Sequence, residues 1–411
     1  MKKLPLPPVL TTLALCLPLW GLWASCGPRQ VGHASDEVGP SPPAESLTPG
    51  DERTDVYLPL LRDKRVAVFS NHTGMVGGRH LLDLLLAEGI RVTAIFSPEH
   101  GFRGTADAGE HVTSEVDPPT GIPILSLYNG RDQRPSPESM DRLDVLVVDI
   151  QDVGLRFYTY YITLCRLMDA CAEHGKEVVL LDRPNPNGHY VDGPVLDGKH
   201  RSGVGLIPIP IVHGMTLGEL ALMVNGEGWL AGGRRCELTV VPCLGYTHAT
   251  PYDLPIAPSP NLPTMKAVLL YPSTCLFEGT VMSLGRGTDL PFQVYGHPDL
   301  KGCDYAFTPV GRPGAKHPPH EGRACYGVDL SCLADDDIRR EGRINLSYLI
   351  DAYRRMNLGD GFFTPFFEKL VGVDYVRRMI EDGCTESEIR ARWSDDVEAF
   401  KQLRAQYLLY E

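Results

Sequence analysis

Along residues 65–184 the apolar positions follow two alternating patterns. RVAVFS (65–70), RVTAIFS (91–97), PILSLY (123–128), VLVVDIQD (145–152) and EVVLLDRP (177–184) are short runs rich in β-branched residues and predict five strands. Between them, HLLDLLLAEG (80–89) and YTYYITLCRLMDACAEHG (158–175) repeat at helical spacing and stop at glycine. Strands that are apolar almost throughout, separated by helices, belong to a parallel sheet covered on both faces. The predicted fold class is α/β, with a Rossmann-like, mostly parallel sheet.

From Ala267 the pattern changes. AVLLYPS (267–273) and ACYGVDLSC (324–332) read as strands around a long segment rich in Gly and Pro. Three helices follow, the last with Ile389, Trp393, Val397, Phe400, Leu403 and Tyr407 on one face, a core stripe. These patterns predict a Rossmann-like catalytic domain over residues 51–262 and a smaller α/β (α+β) auxiliary domain over 263–411.

The N-terminal stretch has different chemistry. Lys2 and Lys3 precede an apolar run from Val9 to Trp23, the pattern of a secretory signal. The run ends in LWASC, similar to a bacterial lipobox, with Trp23 where an aliphatic residue is usual. Residues 1–26 are therefore expected to be a signal peptide, and lipid on Cys26 is expected to anchor an exported protein to a membrane of the cell envelope. Residues 27–50, rich in Pro, Gly and Ser, read as a flexible linker. The formal charge of −13 becomes −15 once the two lysines leave. An acidic chain without basic runs argues against nucleic acid as a partner. Cys16 and Cys26 account for two of the eleven cysteines; the other nine include no CxxC pair, and their pairing stays open.

In open α/β sheets, ligands bind beyond the carboxyl ends of the strands. The predicted strands deliver a polar group to that edge each time. Asn71 and His72 follow the first, Glu99 and His100 the second, Tyr128 and Asn129 the third. Asp149, Gln151 and Asp152 come next, then Asp182, Arg183 and Asn185, and LIPIPIV (206–212) delivers His213. Their coincidence on one edge predicts a cleft.

Several chemistries can be weighed for it. SNHTGMVGG after the first strand does not match G-x-G-x-x-G, and neither a P-loop nor G-x-S-x-G occurs, so no dinucleotide cofactor or serine elbow is expected. His72, His100, His213, Asp149 and Asp152 could form a His/carboxylate cluster, which keeps a metal-dependent hydrolase as an alternative. No two histidines sit at i, i+4 on a helix, and no metal is predicted. Glycoside hydrolysis needs a carboxylic acid to protonate the leaving oxygen and commonly a second carboxylate. Glu99, between Pro98 and His100, and Glu278, in FEGT, are candidates, with Asp149 and Asp152 behind them. Asp152 could equally cap a helix or pair with Arg156.

SNHTG, FSPEHGFRG, VDIQDVGLRFYTY, LDRPNPNG, VHGMTLGELA, SPNLPT, YPSTCLFEGT and SLGRGTDLPFQVYGHP occur in this order. Together they resemble the exo-β-N-acetylmuramidase (NamZ-type) family, from about Thr54 to the end of the chain. The resemblance implies a Rossmann-like domain, an auxiliary domain and a cleft between them. It implies exo-cleavage of β-1,4-linked N-acetylmuramic acid (MurNAc) from the non-reducing end of peptide-free peptidoglycan fragments. The family's proposed catalytic acid falls on Glu99, with His100 beside it, and the glutamate of E-G-T on Glu278. Val281 stands where the family usually has Asn. MurNAc carries a lactyl carboxylate, which arginine recognises well, so Arg103, Arg156 and Arg286 are candidates to read it. For Arg156 an internal salt bridge to Asp152 is the other reading. Asn71, Tyr158, Asn185 and Asn261 can hydrogen-bond sugar hydroxyls or the acetamido group, while Asn261 could also be only a turn residue. A non-catalytic lipoprotein that binds muropeptides or glycans would use the same cleft without needing Glu99.

Overall fold

The computed structural model describes residues 46–98, 102, 115–127 and 134–411. Residues 1–45, including Cys26, lie outside the described residues, as do Glu99, His100, Arg103, Tyr128 and Asn129.

Among the described residues the N-terminal half contributes nine strands: β1 (Arg65–Ser70), β2 (Met75–Val76), β3 (Arg79–His80), β4 (Arg91–Ser97), β5 (Glu115–Val116), β6 (Pro123–Ser126), β7 (Val145–Asp149), β8 (Glu177–Leu181) and β9 (Glu237–Val241). Its helices are α1 (Thr54–Leu61), α2 (Leu81–Ala87), α3 (Pro137–Met140), α4 (Tyr160–His174), α5 (Leu217–Gly226) and α6 (Met265–Thr274). Seven strands form one sheet in the order β5-β6-β4-β1-β7-β8-β9. Six run parallel, and the short β5 closes one edge antiparallel to β6. Phe69 pairs with Phe96 on one side and Val148 on the other.

Burial explains why the strands are apolar throughout. Ala67, Phe69, Leu146, Val148, Val178 and Leu180 enter the core on one face. Val66, Val68, Val145, Val147, Val179 and Leu181 enter the core on the other. Both faces are covered, so the period-2 alternation of a half-exposed sheet is missing from the sequence. α4 stops at Gly175, whose φ of 60° and ψ of 42° suit glycine.

The C-terminal part holds the sheet β10 (Val294–His297), β11 (Tyr305–Phe307) and β12 (Cys325–Asp329), in the order β10-β12-β11. Then come α7 (Asp335–Glu341), α8 (Ser347–Met356), α9 (Phe367–Val371), α10 (Tyr375–Glu381), α11 (Glu386–Ala391) and α12 (Ser394–Arg404). Its core side chains join the α4 and α5 side of the large sheet in one cluster.

Four expectations are corrected. AVLLYPS is helical, within α6: Thr264 caps it by accepting from the amide of Ala267 (3.2 Å), and residues 267–274 are all buried. A fully buried helix shows the same unbroken apolar run as a buried strand. The three expected helices are six shorter ones, and the stripe spans two of them. Trp393 (φ −111°) interrupts the path because its Nε1 donates to Asp192 (3.0 Å), yet Ile389, Trp393, Val397 and Phe400 still share a buried face. LIPIPIV is a looped stretch with one isolated bridging residue, Val212, rather than a strand. The end of the expected linker is docked, since Thr48 pairs with Leu244 and the amide of Gly50 donates to Asp182 O (2.8 Å). A Cβ on Gly50 would lie 2.2 Å from Val241 O, which requires glycine there.

Candidate active site

The strand order reverses between β1 and β7, the topological switch point where open sheets bind ligands. Directly beyond β1, Asn71 is fully buried. Its Oδ1 accepts from the amide (2.9 Å) and hydroxyl (2.6 Å) of Thr73, and its Nδ2 donates to the Tyr160 hydroxyl (3.0 Å). The amide of Gln151, beyond β7, donates to the Thr73 hydroxyl (3.1 Å), which ties the two strand ends together. His72 reaches the carbonyl of Ala257 through Nε2 (2.8 Å).

Tyr158 and Tyr160 precede and open α4. Both hydroxyls donate to Pro258 O, at 2.9 and 3.2 Å, and fix the 257–263 loop over the sheet edge. Between this loop, the tyrosines and the C-terminal part lies a cavity of about 190 Å³. Phe157, Tyr158, Tyr160, Tyr271 and Phe292 form its aromatic wall, and Asn261, Glu278 and Arg286 are among its polar residues. Tyr271 comes from α6 and packs edge-on to Phe157 (5.2 Å) and Phe292 (4.8 Å). Glu278 sits on the 3-10 turn after α6. Its Oε1 accepts from Nη2 of Arg286, whose guanidinium also lies over the Phe292 ring at 5.4 Å. Burial works against the Arg286 charge, but Glu278, together with Tyr271 and Cys275, outweighs it and holds the pKa above its ordinary value. Burial likewise pushes the Tyr158 and Tyr271 hydroxyls well up, so both remain hydrogen-bond donors at neutral pH. Aromatic faces and a few fixed polar groups suit a sugar ring, which has an apolar face and a hydroxyl edge.

The structure thus brings Tyr158, Asn261, Glu278 and Arg286 to one cavity, and Asn71 to it through Tyr160. Asn261 is more than a turn residue: its Nδ2 donates to Gly314 O (2.8 Å) across to the C-terminal part. Other candidates serve the fold. Arg156 is fully buried and forms no ion pair with Asp152; it donates to the carbonyls of Pro194, Ile209, Leu370 and Val371 at 2.7–2.9 Å. Burial lowers its pKa only to about 10, so the charge persists at neutral pH. It is a strut, and that removes it from the carboxylate readers. Asp149 accepts from Arg183 (2.6 Å), which also binds Asp51 (2.7 Å). Burial and then Asp149 push the Asp51 carboxyl up to about 7. Asn185 donates to Met215 O and accepts from the amide of Asn187, holding the loop beyond β8. His213 is buried away from the cavity wall, with its Nδ1 accepting from the Met215 amide (3.2 Å).

Asp152 caps no helix. Its Oδ1 accepts from the amide of Gly154 (2.7 Å), its Oδ2 is buried without a partner among the described residues, and burial raises its pKa to about 7. Phe157, Tyr160, Tyr271 and Phe292 line the cavity and are not among the candidates read from the sequence. The F-Y-T-Y cluster signalled two of them; Tyr271 lay in a run read as a strand. A larger cavity of about 580 Å³ lies between α10, α12 and the segment 195–208. None of the candidate residues read from the sequence lines it, and its Lys199 is paired with Asp197 and Asp374.

The sheet defines an α/β protein with a C-terminal part, and a small aromatic and polar cavity lies beside the turn that opens α4. Comparison with known proteins gives the class a family. The family model "Exo-beta-N-acetylmuramidase NamZ, N-terminal" matches residues 66–266, and "Exo-beta-N-acetylmuramidase NamZ, C-terminal" matches residues 269–410. The chain belongs to the NamZ family. It is 38% identical over 374 residues to the peptidoglycan beta-N-acetylmuramidase NamZ of Bacillus subtilis (strain 168), covering 86% of this chain and 89% of the relative. Two crystal structures of DUF1343 family proteins from Bacteroides fragilis NCTC 9343 share the fold. One is 62% identical with a TM-score of 0.84, the other 28% identical with a TM-score of 0.74; each match covers 89% of this chain and 99% of that one.

Proposed function

We propose that this chain is an exo-acting glycoside hydrolase that releases MurNAc from the non-reducing end of peptide-free peptidoglycan fragments. The bond cut is the β-1,4 linkage from MurNAc to GlcNAc. The observation that carries this reading is the cavity beside the turn that opens α4, with the Glu278–Arg286 pair set in an aromatic wall, in a chain of the NamZ family. At about 190 Å³ it is smaller than the roughly 300–1,000 Å³ of sites for drug-sized ligands, which suits one sugar and an exo mode.

In the proposed mechanism Glu99 protonates the glycosidic oxygen as it leaves. The resemblance of SPEHG to the family motif supports this role. Glu278 supplies the second carboxylate at the anomeric carbon, oriented by Arg286, and a water oxygen ends as the anomeric hydroxyl of the released MurNAc. Tyr158 and the aromatic wall position the ring. The sequence of residues 1–26 supports export, with lipid on Cys26 as the anchor.

Product analysis on peptide-free glycan strands tests the exo mode. Monomeric MurNAc as the only small product, matched by strands one residue shorter that now end in GlcNAc, supports it. Early release of shorter oligosaccharides means endo-cleavage, and binding without any product means a glycan-binding protein.

A further inference from the structure

A second cavity, of about 260 Å³, adjoins the site, and Asn261 lines both. The same two segments build them. In the 259–263 stretch, Ser259, Asn261 and Leu262 face the first cavity and Pro260, Asn261 and Pro263 the second. In the 286–292 stretch, Arg286 and Phe292 face the first, and Gly287, Thr288, Asp289 and Pro291 the second. A glycan that extends past Asn261 from the first cavity therefore meets the second.

We infer that this second cavity is the subsite for the leaving part of the substrate, the uncharged GlcNAc residue on the reducing side of the cut bond. The inference rests on the muramidase reading and assigns the half of the substrate which that reading leaves unplaced. Three observations support it. Its wall includes Pro260, Pro263, Pro291 and Pro313, rigid apolar rings without N–H donors, against which the apolar face of a pyranose can pack. Its charged residues, Arg312 and Asp289, are ion-paired with each other. A self-neutralised pair presents donors and acceptors to hydroxyl and acetamido groups without favouring an anion. Glu278, the second carboxylate of the proposed mechanism, lines the first cavity and not the second, so this cavity binds and does not catalyse.

The subsite is also preformed. The turn at residues 312–315 is closed by paired backbone hydrogen bonds between Arg312 and Ala315 (3.0 and 2.9 Å). Asn261 Nδ2 pins its Gly314 carbonyl. Gly314 has φ +82°, and a Cβ there would lie 2.6 Å from Pro260 Cβ, so the turn presses directly on the loop.

The test compares kcat/KM for the MurNAc–GlcNAc disaccharide with that for a 4-nitrophenyl β-MurNAc, using the full chain and two variants. Arg312→Ala removes the polar contact, and Ala315→Trp fills the cavity. The expected result is that each variant lowers the disaccharide-to-aryl ratio about tenfold or more, the size of one lost charge-assisted hydrogen bond. Equal losses on both substrates, or none, in folded variants overturn the assignment. A parent that hydrolyses neither substrate instead refutes the muramidase reading, and the subsite falls with it.

Discussion

Arg286 donates through Nη2 to Glu278, while its Nε is buried and has no partner among the described residues. One edge of the guanidinium is thus fixed by a carboxylate, and the side chain keeps 22% of its surface exposed where it lines the cavity, so its remaining donors can meet a ligand oxygen. This is how a protein presents arginine to a carboxylate without leaving its charge uncompensated when the site is empty.

The first prediction follows from that unused donor. MurNAc and GlcNAc differ by the lactyl group, and a charge-assisted hydrogen bond contributes roughly 1.5–3 kcal/mol. Arg286→Ala is expected to raise KM for an aryl β-MurNAc and to narrow its advantage over the GlcNAc analogue by about ten- to a hundredfold. Steady-state kinetics on both glycosides, with thermal melts to confirm folding, decide it. Unchanged discrimination moves the carboxylate contact to Arg103.

Arg156 gives the opposite expectation. Four buried carbonyls lose their donor in Arg156→Ala, and each buried unsatisfied group costs about 1–3 kcal/mol. Unfolding in urea should show a loss of roughly 3 kcal/mol or more, with MurNAc-over-GlcNAc selectivity retained by whatever remains folded. Normal stability with lost selectivity contradicts the strut.

Asp152 makes stability depend on pH. Its carboxyl, raised to about 7 by burial, keeps its proton in the folded chain at pH values where the unfolded chain has released it. The folded state binds more protons between about pH 4 and 7, so this group's contribution to stability declines as pH rises through that window. Asp152→Asn removes the dependence while keeping an oxygen for the Gly154 amide. Its stability relative to the parent should increase from pH 5 to pH 7.5 in denaturant titrations. A constant difference across that range contradicts a protonated Asp152.

The five strands were legible because burial on both faces leaves short apolar runs rich in β-branched residues, a pattern that the buried helix α6 and the looped 206–212 stretch also imitate. β9 was not, because it is an edge strand whose residues Glu237–Val240 alternate between exposed and half-buried. The polar strand ends marked one edge of the sheet as a candidate, but the cavity is lined from the turn that opens α4, the 259–262 stretch and the C-terminal part, and the duties of the strand ends were not legible. Asp149, Asn185 and Arg156 look in sequence like Tyr158 or Glu278; only the three-dimensional partners separate groups that hold loops from groups that face a cavity. Tyr271 and Phe292 reach the site from segments whose apolar pattern reported burial alone.

Export can be checked without structural work. In cells making the full chain, labelled palmitate should enter the protein, and Cys26→Ser should abolish the label. Labelling that survives the substitution refutes Cys26 as the lipid site.

The most direct test of the account is hydrolysis of MurNAc–GlcNAc by the parent and by Glu99→Gln. Loss of a general acid typically costs about 10²–10⁴-fold. The parent is predicted to release free MurNAc and GlcNAc in equal amounts, and the folded Glu99→Gln chain to do so slower by that factor. An intact disaccharide with the parent, or a variant as fast as the parent, contradicts it.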